Sequence, residues 1–237
     1  MQIVILAGGF GTRMSEETDF IPKPMAIIGN KPILWHLVKY YYYHGFREFI
    51  ICSGYKSEII KKYFQKYSDL PDLVNVKVVF TGKKSNTGER IRRIKKYVKN
   101  DFMLTYGDGL SNVNLKKLIQ THSRGKNIVT LTAVKPEPRF GKLILKKKLV
   151  HKFSEKKNSK EDWINGGFMI CSINIFNFIK KNNSIFEKDV LNILVKKRKL
   201  GAYKHTGFWH PIDTLKDKRY ANNLWKKKKA PWKLWRF

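Results

Sequence analysis

The segment Leu6-Ala7-Gly8-Gly9-Phe10-Gly11-Thr12-Arg13 is a glycine-dense turn directly after an apolar run, closed by a cation and followed by Pro22-Lys23-Pro24. Glycines permit positive φ and let backbone N–H groups approach an anion closely, while Arg13 and Lys23 supply charge for phosphate oxygens. The mechanical reading is a phosphate cradle. A Walker A loop would need Gly-Lys-Ser/Thr after four intervening residues, and a dinucleotide fingerprint would need a third glycine where Met14 stands. Both are excluded. A tight turn with an incidental arginine is the structural alternative.

Further candidates lie downstream. Asp108, between Gly107 and Gly109, follows an apolar run and would stand at the carboxyl edge of a sheet, where ligands of open α/β sheets bind. Together with Asp213 it offers two oxygen ligands for Mg2+, which takes one or two carboxylates plus substrate phosphates and water. A turn-forming Asp-Gly and a helix N-cap at Asp213 would explain the same residues structurally. Thr87-Gly88-Glu89-Arg90 opens a helix, where free N–H groups favour an anion or a polar base edge, although Thr also serves there as a plain cap. Glu155-Lys156 sits among other lysines as a charged loop, and Asn165-Gly166-Gly167 lets a ligand approach the backbone or forms a bulge. The six histidines show no metal spacing, and no nucleophile elbow is present, so covalent catalysis is not indicated.

These residues need a scaffold. Apolar runs at Gln2 to Ala7, Glu48 to Ser53, Val76 to Thr81, Phe102 to Tyr106, Asn127 to Val134 and Gly166 to Ser172 read as buried strands. Helical periods separate them at Lys31 to Tyr43, with Pro32 at the first position, and at Ser57 to Tyr67, Thr87 to Tyr97, Asn112 to His122 and Glu187 to Lys199. That alternation predicts an α/β, Rossmann-like, mostly parallel sheet with helices on both faces. Short strand-like pieces near Leu143 and Val150 predict a small β-rich flap. The 237 residues carry no linker or repeat and read as one domain over 1–237.

Composition narrows the partners. Aromatics at 14% and apolar residues at 42% argue for a packed core. Lys plus Arg number 49 against 18 Asp plus Glu, a net charge of +31, which makes an anionic partner the first hypothesis. Cys52 and Cys171 lie far apart in apolar runs, suiting buried thiols in a reducing compartment. Neither a signal peptide nor a membrane span is readable, so a soluble cytoplasmic protein is expected. Trp225, Trp232 and Trp235 among lysines could stack on nucleic acid, anchor at a membrane interface, or dock as a tail on this chain or a neighbouring subunit.

Gly8-Gly9-Phe10-Gly11-Thr12-Arg13, Pro22-Lys23-Pro24-Met25 and Lys31-Pro32-Ile33 resemble the signature of the nucleotidyltransferases that make nucleoside-diphosphate sugars from a sugar 1-phosphate and a nucleoside triphosphate. The resemblance extends over nearly the whole chain through Ile33-Leu34-Trp35-His36, Thr105-Tyr106-Gly107-Asp108-Gly109, Arg139-Phe140-Gly141, Ile164-Asn165-Gly166-Gly167-Phe168, Gly207-Phe208-Trp209 and Ala230-Pro231-Trp232-Lys233. It implies CTP and α-D-glucose 1-phosphate as substrates, Mg2+ held by Asp108 and Asp213, and a homo-oligomer with neither nucleic acid nor membrane as partner. It further implies that Arg13 stabilises the departing pyrophosphate and Lys23 the α-phosphate, that Gly8, Gly9 and Gly11 supply backbone donors, and that Thr87 and Arg90 contact the nucleotide. Glu155 would accept from sugar hydroxyls, Lys156 would neutralise the sugar phosphate, Asn165 and Gly166 would lie against the sugar, and Leu6, Thr12, Tyr106 and Gly107 complete the substrate contacts. Three departures stand out: a short region from Tyr67 to Asn75, Lys157 in place of a proline, and Lys83-Lys84 in place of acidic residues. A sibling using UTP, dTTP or another sugar 1-phosphate, and a basic nucleic-acid-binding module, remain open alternatives.

Overall fold

Gln2–Ala7 (β1) is buried along five of its six positions, as a strand covered on both faces must be. In the computed structural model, which describes residues 1–11, 14, 20–136, 142–146, 149–154, 163–180 and 182–235, this strand is central. Ile33–Tyr43 (α1), Glu48–Ser53 (β2), Ser57–Lys62 (α2), Asn75–Phe80 (β3), Thr87–Arg93 (α3) and Phe102–Tyr106 (β4) follow it. Beyond them come Gly109–Ser111 (β5), Leu115–Gly125 (α4), Val129–Val134 (β6), Lys142–Lys146 (β7), Leu149–Ser154 (β8), Ile164–Asn165 (β9) and Met169–Cys171 (β10). Asn192–Lys196 (α5), Leu200–His205 (β11), Trp209–Pro211 (β12) and Leu215–Lys226 (α6) complete the order.

Strands β3, β2, β1 and β4 run parallel and side by side. Antiparallel β10 joins β4 to β6, antiparallel β9 extends β6, and β11 adds a parallel strand on the far side of β6. The expected sheet is therefore present as a mixed, mostly parallel one, and β7 with β8 forms the separate two-stranded flap.

Alternate residues of the central strands feed two cores. Ile3, Ile5, Phe49, Ile51 and Met103 pack with Ile33, Leu37 and Tyr41 of α1. Val4, Leu6, Ile50, Cys52 and Leu104 pack with Ile91 of α3 and Leu194 of α5 on the other face. Helices thus cover both faces, and every parallel strand of the β3 to β4 set delivers its carboxyl end to one edge.

Several boundaries move. The strand expected over 166–172 is shortened to β10, because Gly167 and Phe168 take φ of 73° and 45° and break the extended run; β9 lies just before the expected span. Pro32 is the N-cap of α1 rather than its first residue. The expected helices over 57–67 and 187–199 each contain a π turn, at Tyr63–Tyr67 and Phe186–Leu191, and the one over 87–97 ends in a 3-10 turn at Lys95–Tyr97. Asn114 caps α4 by accepting from the Lys117 N–H, so that helix starts at Leu115. The short strands β5, β9 and β12 escaped the sequence reading, and so did two longer elements. β11 carries Gly201 and Lys204 within a weakly apolar run, and its pairing with β6 rather than its propensity makes it a strand. α6 opens with a capping box between Thr214 and Asp217. Thr214, not Asp213, is the cap.

The tryptophan tail docks on its own chain. Trp232 is buried and its indole N–H donates to Nδ1 of His36 (3.4 Å), whose Nε2–H donates to the Ile28 carbonyl (2.9 Å). Trp35, Trp225 and Trp235 ring the same imidazole. The short 67–75 region closes onto α1: Asp69 accepts from Trp35 Nε1 (2.7 Å) and pairs with Lys31 (3.0 Å). Among the described residues, no helix is long and apolar enough to cross a membrane.

Candidate active site

The carboxyl edge of β1, β2, β3 and β4 opens into a cleft of about 410 Å3, lined by Leu6 to Gly11, Lys23, Lys83 to Thr87, Arg90 and Tyr106 to Asp108. The glycine turn is built around Arg90. Its guanidinium is buried and donates to the carbonyls of Gly8 (2.8 Å), Ser53 (3.1 Å) and Gly82 (2.8 Å) and to Thr81 Oγ1 (2.9 Å). One side chain therefore ties together the ends of β1, β2 and β3. No carboxylate neutralises it among the described residues, and burial lowers its pKa. A buried cation in that position leaves a positive potential beneath the cleft. Arg90 lines the cleft, and its donors go to the loop and the strand ends.

This arrangement requires glycine at position 8. A Cβ there would stand 2.1 Å from Arg90 Nη1. Gly8→Ala is expected to displace the guanidinium and weaken nucleotide affinity at least about tenfold, read by titration calorimetry; affinity within twofold would show that the loop tolerates the shift. Gly11 takes φ of 70°, a left-handed conformation that suits glycine. Gly107 donates to the Leu6 carbonyl (2.9 Å), setting Asp108 beside the end of β1.

Lys23 and the two aspartates converge. Lys23–Met25 is a buried 3-10 turn preceded by Pro22, and its ammonium donates to Asp108 Oδ2 (2.6 Å) and Asp213 Oδ1 (2.5 Å). Asp108 and Asp213 are far apart in sequence. They meet because β12 pairs antiparallel with β5, bringing Pro211 opposite Gly109, and the Ile212 N–H donates to the Asp108 carbonyl (2.8 Å). The capping box of α6 then fixes Asp213, whose N–H donates to Asp217 Oδ2 (3.1 Å).

No group of three or more metal-ligating side chains exists among the described residues. The two carboxylates nevertheless fit a hard divalent ion. Both reach one cationic centre, both offer oxygen, and Asp108 is open to the cleft, which matches an ion that completes its shell with phosphate oxygens and water.

A second constellation lies behind the cleft wall. Thr87 Oγ1 donates to Glu187 Oε2 (2.7 Å) and Tyr106 Oη donates to Glu187 Oε1 (2.5 Å), while Asn165 Nδ2 donates to Tyr106 Oη (3.2 Å). Gly166, at the same turn, accepts from Trp209 Nε1 (2.7 Å). Burial first, then the Glu187 charge, holds the Tyr106 hydroxyl well above its ordinary pKa. Glu187 escaped the sequence reading, because a lone carboxylate at a helix start carries no pattern. Lys83 and Lys84 line the cleft with no carboxylate partner among the described residues. Thr12, Arg13, Glu155, Lys156 and the Arg139-Phe140-Gly141 stretch lie outside the described residues.

The sequence profile of the Nucleotidyl transferase family matches residues 2–227. The chain belongs to the nucleotidyl transferase family. It is 43% identical to the glucose-1-phosphate cytidylyltransferase of Salmonella typhimurium, over 99% of this chain and 100% of that one. It is 33% identical to the D-glycero-alpha-D-manno-heptose 1-phosphate guanylyltransferase of Campylobacter jejuni, over 85% of this chain and 90% of that one. Among solved structures, HddC of Yersinia pseudotuberculosis complexed with GMP-PN superposes with a TM-score of 0.73 at 27% identity, covering 94% of this chain and 99% of that one. The glycine turn, the lysine and the two aspartates of this nucleotidyl transferase thus sit together at the edge of a sheet shared with relatives named for different bases and sugars.

Proposed function

We propose that this nucleotidyl transferase, as a single domain, transfers the cytidylyl group of CTP to α-D-glucose 1-phosphate, releasing pyrophosphate and leaving CDP-glucose. The observation that carries the choice of substrates is identity of 43% along the full length of a relative named for that reaction. An oxygen of the sugar phosphate attacks the α-phosphorus in line, the new P–O bond forms as the bond to the pyrophosphate oxygen breaks, and no general base is demanded because the nucleophile is already anionic.

The chain therefore positions groups and neutralises charge. Amides of the Gly8 to Gly11 turn face the triphosphate, with Leu6, Thr12, Thr87, Tyr106 and Gly107 bounding the nucleotide. Lys23 neutralises the α-phosphate and Arg13 the departing pyrophosphate. Glu155 accepts from sugar hydroxyls, Lys156 holds the sugar phosphate, and Asn165 and Gly166 lie against the ring. Asp108 and Asp213 would hold Mg2+, which when bound withdraws charge from the phosphate oxygens. The activity fits the cytoplasm, where triphosphates are held and where buried, unpaired Cys52 and Cys171 stay reduced. A homo-oligomer feeding deoxysugar or surface-polysaccharide synthesis completes the proposal.

Because a 33% identical relative is named for a guanylyl transfer, the base is the part of the assignment most open to change. Pyrophosphate release with Mg2+ across CTP, UTP, dTTP, GTP and ATP, each with glucose 1-phosphate and other sugar 1-phosphates, tests it. CTP with glucose 1-phosphate is expected to exceed every other pair at least tenfold. A different preferred pair would keep the mechanism and overturn the substrates. Silence across the panel, with nucleic-acid affinity falling steeply with salt, would favour the reading of the +31 charge as a binding surface.

A further inference from the structure

Glu187 stands behind the cleft wall with no cation paired to it among the described residues, in a protein whose cleft is otherwise built for anions. Its two oxygens accept from two hydroxyls, Thr87 Oγ1 (2.7 Å) and Tyr106 Oη (2.5 Å). An ionised carboxylate only accepts, so each hydroxyl must spend its single proton on it. The consequences run outward along both arms. Thr87 Oγ1, its proton committed, accepts from the Phe186 N–H (2.9 Å). Tyr106 Oη, likewise committed, can only accept from Asn165, so the amide presents its NH2 to this phenol oxygen (3.2 Å), while the Gly167 N–H donates to its Oδ1 (3.0 Å) from the other side. One nitrogen-bound hydrogen of Asn165 remains, fixed in direction by the chain of bonds behind it.

We propose that Glu187 is a positioning residue: through Tyr106 it gives the Asn165 NH2 an obligatory acceptor, the second anchor beside the Gly167 N–H on Oδ1, so that the sugar side of the cleft offers a fixed N–H to an acceptor oxygen of the sugar phosphate. The proposal rests on the assignment of Asn165 to the sugar, and adds a residue that touches no substrate. It gives a task to a carboxylate that stands beside an anionic site with two hydroxyls as its partners among the described residues. A neutral acceptor on one arm would hold Tyr106 equally, whereas an apolar residue would free its proton to turn toward the Asn165 NH2, leaving the bond from the Gly167 N–H to Oδ1 to hold the amide without its second support.

The test compares Glu187→Leu, Tyr106→Phe, their double variant and Glu187→Gln. Wild-type turnover of CTP with glucose 1-phosphate is read first, since its absence counts against the substrate assignment alone. With CTP saturating, Glu187→Leu and Tyr106→Phe are each expected to raise KM for the sugar phosphate about tenfold, and the double variant no further, because both cut one relay. Glu187→Gln, whose amide oxygen still accepts from Tyr106, is expected to return KM to within about threefold of wild type. In 15N-labelled protein without substrate, Glu187→Leu and Tyr106→Phe are expected to shift the Asn165 side-chain amide signals, a readout independent of the sugar assignment. Unmoved Asn165 signals in Glu187→Leu, or a fall in Tm with KM unchanged, would overturn the proposal; should Glu187→Leu not fold, Glu187→Ala read against Glu187→Gln decides it.

Discussion

Lys23→Met is expected to lower kcat by about 10²–10³-fold, the loss that follows removal of one preorganised charge at a transition state. It should also destabilise the protein. The Lys23 ammonium lies between Asp108 and Asp213, and without it two carboxylates face each other across the gap. Breaking a buried pair of this kind costs about 3–5 kcal/mol, and less here because Asp108, whose side chain is 31% exposed, is screened by solvent. Mg2+ is expected to restore the Tm of Lys23→Met, since a divalent ion can take the place of the ammonium between the carboxylates, but not its turnover. Asp108→Asn should lose turnover to a similar degree and gain no Tm from Mg2+. Turnover within fivefold of wild type in Lys23→Met, measured by pyrophosphate release, would remove Lys23 from the chemistry.

Acidification from pH 7 to 4 is expected to cost roughly 3 kcal/mol through His36 alone. Burial among the tryptophans lowers its pKa from 6.5 to about 4 in the folded protein. Between those values the unfolded chain binds the proton and the folded chain does not. The contribution is therefore complete above 6.5 and lost progressively as pH falls toward 4. His44, His122 and His205, also lowered by burial, act in the same direction. Glu89 enters only at the acid end of this window. Hydrogen bonds from Arg92, opposed by burial and joined by Arg93, lower its pKa from 4.5 to about 2, so its contribution is present above 4.5 and lost below. Urea midpoints followed by tryptophan fluorescence should drop steadily from pH 6.5 to 4 in the wild type and more shallowly in His36→Gln. Parallel curves for the two proteins would show that His36 does not carry the acid sensitivity.

The fold was legible wherever burial on both faces left an uninterrupted apolar run, as in Gln2–Ala7 and Glu48–Ser53. Leu200–His205 was not legible, because an edge strand with Gly201 and Lys204 owes its conformation to the Val129–Val134 partner. The phosphate cradle could be read from its glycines, which constrain the backbone locally. What the sequence could not show was how Arg90 spends its donors: its four acceptors come from the ends of three strands that only the folded sheet brings together. Asp108 and Asp213 could be paired by resemblance, yet the ammonium between them depends on the register of Gly109–Ser111 with Trp209–Pro211. Glu187 had no local signature at all; its meaning lies in two hydroxyls contributed by Thr87 and Tyr106.

The most direct measurement follows oxygen. Glucose 1-phosphate labelled with 18O at its non-bridging phosphate oxygens is incubated with CTP, Mg2+ and the enzyme, and the products are resolved by mass spectrometry. Attack by the sugar phosphate on the α-phosphorus predicts CDP-glucose carrying all of the label and pyrophosphate carrying none. Label in pyrophosphate or in free phosphate, or CDP-glucose that has lost label, would contradict a single in-line transfer at this cleft.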